Sequence, residues 1–135
     1  MGVNVVGTMF FKDKKLLIDK PSKRPTYQMI GGRVENWELP FDAAVRECHE
    51  ELWEKAIFDP KLIEFVMEFD EIATSDGKTK IHFFVYKYNG VLDGEITTSE
   101  EIENFMWYWI NDDRDILSNT LKNEVIPYCI KNDLI

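Results

Sequence analysis

From Pro40 to about Trp53 the chain leaves strand-like alternation for a helical period, and strand-like runs stand on both sides of that change. Before it come "VNVVGTMFF" and "KKLLID", whose intervening "KDK" predicts a hairpin. The basic, proline-flanked loop "PSKRP" follows, and "TYQMI" is another short strand running into Gly31-Gly32. After it come the longest strand-like runs, "KLIEFVMEFDEI" and "TKIHFFVYKYN", joined by "ATSDGK", a turn containing Asp-Gly. An acidic loop, "GVLDGEITTSEE", leads to a late strand, "IENFMWYWI", and then to a helical tail that Pro127 breaks or kinks. Strands interleaved with two helices predict an α/β fold in which a mixed sheet is covered on both faces. A chain of 135 residues is long enough for one core and is read as a single domain.

The helical segment carries the chemistry. At 100° per residue, Phe41, Ala44, Val45, Cys48 and Leu52 fall on one narrow arc, the expected buried stripe. Glu51 and Glu47 border that arc, Glu54 and Glu50 continue round from them, and Arg46 lies just beyond Glu50. Like charges three and four residues apart cost a helix roughly 0.2–0.5 kcal/mol per pair. A charged face of an acidic protein would absorb that cost. A hard divalent cation would turn it into a gain, because Mg²⁺ takes a few carboxylates and fills its remaining positions with water and phosphate oxygens.

Charge narrows the partners. The formal net charge is -9, which argues against a nucleic-acid polymer or an anionic membrane as ligand, since phosphate backbones require Lys and Arg. A phosphate ligand would need positive charge from elsewhere, and a metal ion is the simplest source. The two cysteines, Cys48 and Cys129, show neither metal-type spacing nor a disulfide framework, and the N-terminal run lacks a secretory pattern. No apolar run approaches the roughly 18 residues of a membrane span. The expectation is a soluble cytoplasmic protein.

The spacing of Gly32, Glu38, Arg46-Glu47 and Glu50-Glu51, with Gly31 doubling the glycine, resembles the Nudix box of the MutT-like hydrolases. At ordinary residue usage of about 5–7%, a chance match at a given start has odds of order 10⁻⁷. The resemblance implies a Nudix-type α/β/α sandwich over residues 1–135, with the mixed sheet between helices. It also implies Mg²⁺- or Mn²⁺-dependent hydrolysis of a small-molecule nucleoside diphosphate derivative, and it leaves room for a homodimer. Carried onto this chain, Glu47, Glu50 and Glu51 are the implied metal ligands, with the Gly31 main-chain carbonyl as a further oxygen. Arg46 is the implied orienting arginine and Glu38 assists from the loop. The general base is Glu47, or in other members a late-loop glutamate, for which Glu101 stands a short step ahead of Trp107 and Glu100 and Glu103 are rivals.

Four positions depart from the box. Ile30 replaces the usual proline before the glycines, Leu39 replaces the Ser or Thr before Pro40, and Trp53 and Glu54 replace the closing glycine and apolar residue. Leu39 forgoes a side-chain cap, although Pro40 suits the first helical position and Asp42 complements the helix dipole. Trp is costly in a left-handed cap, so the helix is expected to run on towards Lys55 or Ala56. A catalytically impaired, nucleotide-binding sensor on the same scaffold is the second reading. A diphosphate isomerase would want a catalytic cysteine, and Cys48 lies on the buried stripe.

For substrate recognition, Gly32, Glu38, Arg33 and Arg24 are the candidates, with Lys23 completing the basic cluster near the box. The stretch Phe69–Ile72 contains neither the Pro nor the Tyr that marks several sub-families. Tyr27, Trp37, Trp53 and Tyr108 are aromatic residues suited to stacking on a base, and equally suited to a core. His49 and His82 are read as structural.

Overall fold

The computed structural model describes residues 2–52, 56–73 and 76–135. In chain order its strands are β1 (Gly2–Met9), β2 (Phe11–Lys12), β3 (Lys15–Pro21), β4 (Gln28–Arg33), β5 (Ala56–Ile57), β6 (Ile63–Ile72), β7 (Lys80–Tyr88), β8 (Asp93–Gly94) and β9 (Ile102–Tyr108). Helix α1 spans Pro40–Leu52 and α2 spans Ile126–Lys131. By its contacts the chain divides into two compact units, the segment to Phe10 with Ile30–Thr97, and Phe11–Met29 with Thr98–Ile135.

In the first unit β1 is the central strand. It pairs antiparallel with β4 (Val5 opposite Arg33, Gly7 opposite Gly31) and parallel with β7 (Val6 opposite Phe84). Strand β6 closes the sheet antiparallel to β7, with a register shift between Phe65 and Met67. The sheet is therefore mixed, as the strand pattern predicts. The second half of β1, Val6–Met9, is buried throughout, because it has strands on both sides and α1 packed against it. Short strands β5 and β8 pair separately.

The buried face of α1 consists of Ala43, Ala44, Cys48 and Leu52. This shifts the expected stripe: Phe41 is 40% exposed and Val45 only half-buried. Phe41 instead meets the edge of Tyr86, which Phe65 also approaches edge-on. Small residues therefore face β1 and let the helix lie close, while the large ring stays at its rim. Cys48 is fully buried beside the Thr8 hydroxyl, and burial pushes its thiol up to about 12, which leaves it an inert packing group. The expected extension of the helix falls largely on Trp53–Lys55, outside the described residues. Ala56 already belongs to β5, so the helix does not reach it.

In the second unit β3 pairs antiparallel with β2 and β9, and its Ile18 and Asp19 pair with Met29 and Gln28 of β4. The β2–β3 hairpin turns on Asp13 and Lys14, both with positive φ (52° and 62°), the two-residue turn whose twist suits flanking strands. The tail helix starts after Ser118, whose hydroxyl accepts from the Leu121 N–H at 3.3 Å. Pro127 does not break it. One turn, Leu121–Val125, is widened so that the Ile126 N–H reaches the Leu121 carbonyl, five residues back. That widening relieves the clash a proline ring makes with the carbonyl four residues earlier. Leu117, Leu121, Val125, Ile126 and Cys129 are buried along this tail. Among the described residues no helix is long and apolar enough to cross a membrane.

Candidate active site

The site is built where β4 ends and α1 begins. Gly31 and Gly32 are the last glycines of β4, and each is required by a close approach. A Cβ at Gly31 would stand 1.9 Å from the Val6 carbonyl oxygen, so only glycine lets β4 lie against β1 here. A Cβ at Gly32 would stand 2.5 Å from the Glu47 carboxyl carbon, so the Glu47 carboxylate rests on bare backbone. The Gly31 N–H donates to Glu51 Oε1 at 3.3 Å. The glycine pair thus seats two of the helix carboxylates.

Beyond β4 the chain makes a tight turn. The Val34 N–H donates to the Asn4 carbonyl, the Glu38 N–H to the Glu35 carbonyl, and the Glu35 N–H to Glu38 Oε1 at 2.9 Å. Glu38 then holds Arg46 in a fork, accepting from Nη2 at 2.6 Å and from Nε at 3.1 Å. Nη2 also donates to the Arg33 carbonyl at 3.0 Å, and Nη1 donates to Glu47 at 2.9 Å and Glu50 at 3.2 Å. All five N–H groups of the guanidinium are therefore engaged. It ties the end of β4, the turn and two helix carboxylates into one network.

The electrostatics follow the geometry. The Arg46 hydrogen bond and the Glu35 N–H hold the Glu38 carboxyl below its ordinary range. Burial raises Glu47, and Arg46 opposes that rise without cancelling it. Its carboxylates raise Arg46 further above its already high value. Glu50 is exposed and Glu51 half-buried. Among the described residues no three His, Cys, Asp or Glu side chains converge into a metal cage. The donor set at the edge of α1 is nonetheless all carboxylate oxygen, the chemistry a hard divalent cation takes, and Mg²⁺ commonly uses one or two carboxylates rather than an all-protein cage.

The other candidates lie elsewhere on the chain. Arg33 ends β4 with its side chain exposed, its carbonyl serving Arg46. Glu101 and Arg24 belong to the second unit. The Glu101 carbonyl accepts from the Ser22 N–H and the Glu100 carbonyl from the Ser22 hydroxyl. Glu103 is paired with Lys20 at 2.8 Å. His82 sits between Asp70, at 2.7 Å, and Glu68, at 2.8 Å, an arrangement that sequence spacing hid because it depends on the β6–β7 register. The anchoring of Arg46 by Glu38 was also beyond the spacing, since eight residues and a turn separate them.

A NUDIX domain family model matches residues 2–126, nearly the whole chain and the entire network just described. The chain belongs to the Nudix family. Solved structures share the fold. A MutT Nudix hydrolase from Burkholderia pseudomallei superposes with a TM-score of 0.73 at 20% identity, over 90% of this chain and 94% of that one. An Ap4A hydrolase from C. elegans, in a binary complex, gives 0.67 at 16% identity over 95% and 96%. A bifunctional NMN adenylyltransferase/ADP ribose pyrophosphatase from Francisella tularensis, complexed with AMP and a Mn ion, gives 0.71 at 14% identity, covering 98% of this chain and 42% of that one. No curated protein matches the sequence. The chain has the α/β fold of that family.

Proposed function

We propose that the protein hydrolyses the diphosphate linkage of a nucleoside diphosphate derivative, such as a nucleoside triphosphate or a nucleotide sugar, with Mg²⁺ or Mn²⁺. Residues 1–135 are taken as one Nudix domain. The observation that carries the proposal is the Arg46 network, which orients Glu47 and Glu50 on one edge of α1 while the Gly31 N–H holds Glu51.

In this proposal Glu47, Glu50 and Glu51, with the Gly31 carbonyl, hold the cation. When bound, it would neutralise diphosphate oxygens and acidify a water molecule. The chain's own residues do the rest. Glu47, set against Gly32 and steered by Arg46, takes the proton of the water that attacks phosphorus, and the anhydride bond to the leaving phosphate breaks. Glu101 is the alternative base from the late loop. Glu38 acts by holding Arg46, and Gly32, Arg33 and Arg24 are the proposed substrate contacts. A nucleotide-binding sensor without turnover is the competing reading, favoured by the engagement of Glu47 and Glu50 with Arg46.

The deciding experiment is a substrate panel of nucleoside triphosphates, nucleotide sugars, ADP-ribose, dinucleotides and oxidised nucleotides, with products identified by mass. Turnover that EDTA abolishes, and that Glu50→Gln or Glu51→Gln removes without unfolding, is the expected result. Binding with no turnover under any divalent ion would establish the sensor instead.

A further inference from the structure

We propose that Trp37 is the platform on which the aromatic base of the substrate stacks, a specificity-determining role that rests on the nucleotide reading above. Trp37 is 79% exposed, and its neighbour Leu39 is 70% exposed. An indole held in water forfeits the burial that normally stabilises a large apolar side chain.

The backbone beneath it is not loose. Trp37 lies within the Glu35–Glu38 turn, which is closed by the Glu38 N–H to the Glu35 carbonyl at 3.2 Å and by the Glu35 N–H to Glu38 Oε1 at 2.9 Å. The turn is pinned at one side by the Val34 N–H on the Asn4 carbonyl, at 2.9 Å. At the other side Glu38 grips Arg46. Trp37 is the residue next to Glu38, about 3.8 Å away along the chain at Cα, and the guanidinium on Glu38 also touches Glu47 and Glu50. The same network that orients the carboxylates therefore fixes the strut carrying the indole.

A rigid aromatic with two side-chain torsions loses little entropy when a ring lands on it. Its chain neighbours include Glu35 and Glu38 and no cation, which suits the uncharged end of a nucleotide better than a phosphate. Stacking accepts every base, because each has a π-face. The expected selectivity is for compounds that carry a base over those that do not, with larger purine faces ahead of pyrimidines.

The test compares the native protein with Trp37→Ala and Trp37→Phe on nucleoside triphosphates and on inorganic triphosphate. Trp37→Ala should raise KM for the nucleotides about tenfold with kcat unchanged. Trp37→Phe should recover most of that loss, and neither variant should alter handling of inorganic triphosphate. In parallel, a non-hydrolysable nucleoside triphosphate with Mg²⁺ should quench indole emission in the native protein and lose that component in Trp37→Phe while affinity persists. An unchanged nucleotide KM in Trp37→Ala, or equal effects on inorganic triphosphate, would overturn the assignment and leave the hydrolase reading intact. Quenching at Trp37 without turnover of any nucleotide would support the platform and remove the hydrolase reading.

Discussion

Glu38 holds Arg46 with both carboxylate oxygens, at 2.6 and 3.1 Å, and through it steers two carboxylates one and four residues further along α1. Charge alone does not reproduce this fork. Arg46→Lys keeps the cation but offers a point charge in place of five fixed donors. Steady-state kinetics should show a loss of about 10–100-fold in kcat, the range for residues that orient ligands. Arg46→Ala should also lower stability by about 2 kcal/mol, read from urea unfolding, because Glu38 and Glu47 are left without their cation. A stable Arg46→Lys enzyme with native kcat would refute the positioning role.

The two glycines should fail in different ways. At Gly31 the obstacle is the Val6 main-chain oxygen, which has nowhere to go, so Gly31→Ala should cost about 3 kcal/mol or more and unpair β4 from β1. At Gly32 the obstacle is the end of a flexible side chain, so Gly32→Ala should fold at a cost nearer 1 kcal/mol. Its activity should fall at least tenfold as Glu47 is pushed aside. Circular dichroism melts beside initial rates separate the two, and equal melting points with equal rates would contradict both assignments.

His82 should give stability a pH dependence. Its hydrogen bonds to Asp70 and Glu68 raise its pKa above the ordinary 6.5. The folded state thus binds the proton more tightly than the unfolded one. The stabilisation is fully present below the unfolded pKa of about 6.5 and is lost as pH rises through the higher folded value. His82→Gln should flatten that part of the profile, measured as melting temperature from pH 6 upwards. A native profile already flat there would remove the claim.

The β2–β3 turn offers a stabilising change. Lys14 holds a φ of 62°, and a side chain in that region costs roughly 1–2 kcal/mol relative to glycine. Its ion pair with Asp133 is solvent-exposed, so little is lost with it. Lys14→Gly should raise stability by about 1 kcal/mol and the melting temperature by about 3 °C. A lower melting point would show that the Asp133 contact outweighs the backbone strain.

The spacing of Gly32, Arg46, Glu47, Glu50 and Glu51 was readable from the chain because a helix repeats locally, so sequence distance converts directly into a face. The turn at Asp13-Lys14 and the long β6–β7 pair were readable for the same local reason, but the run "VNVVGTMFF" pairs with β4 and β7 instead of with "KKLLID", and only its last residue, Phe11, enters the hairpin. The side chains that answer them were not. Glu38 finds Arg46 only once the turn folds back on α1, and Asp70 finds His82 only in the register of two paired strands. Phe41, placed in the buried stripe by angle alone, stays at the rim because Ala43 and Ala44 bring the helix too close to β1 to admit a large ring. Pro127, a helix breaker in isolation, is absorbed by a widened turn whose neighbours Leu121, Val125 and Ile126 are buried. Periodicity is a property of the backbone and travels with the sequence; partners separated by a loop or a strand register are chosen by packing, which exists only in the folded chain.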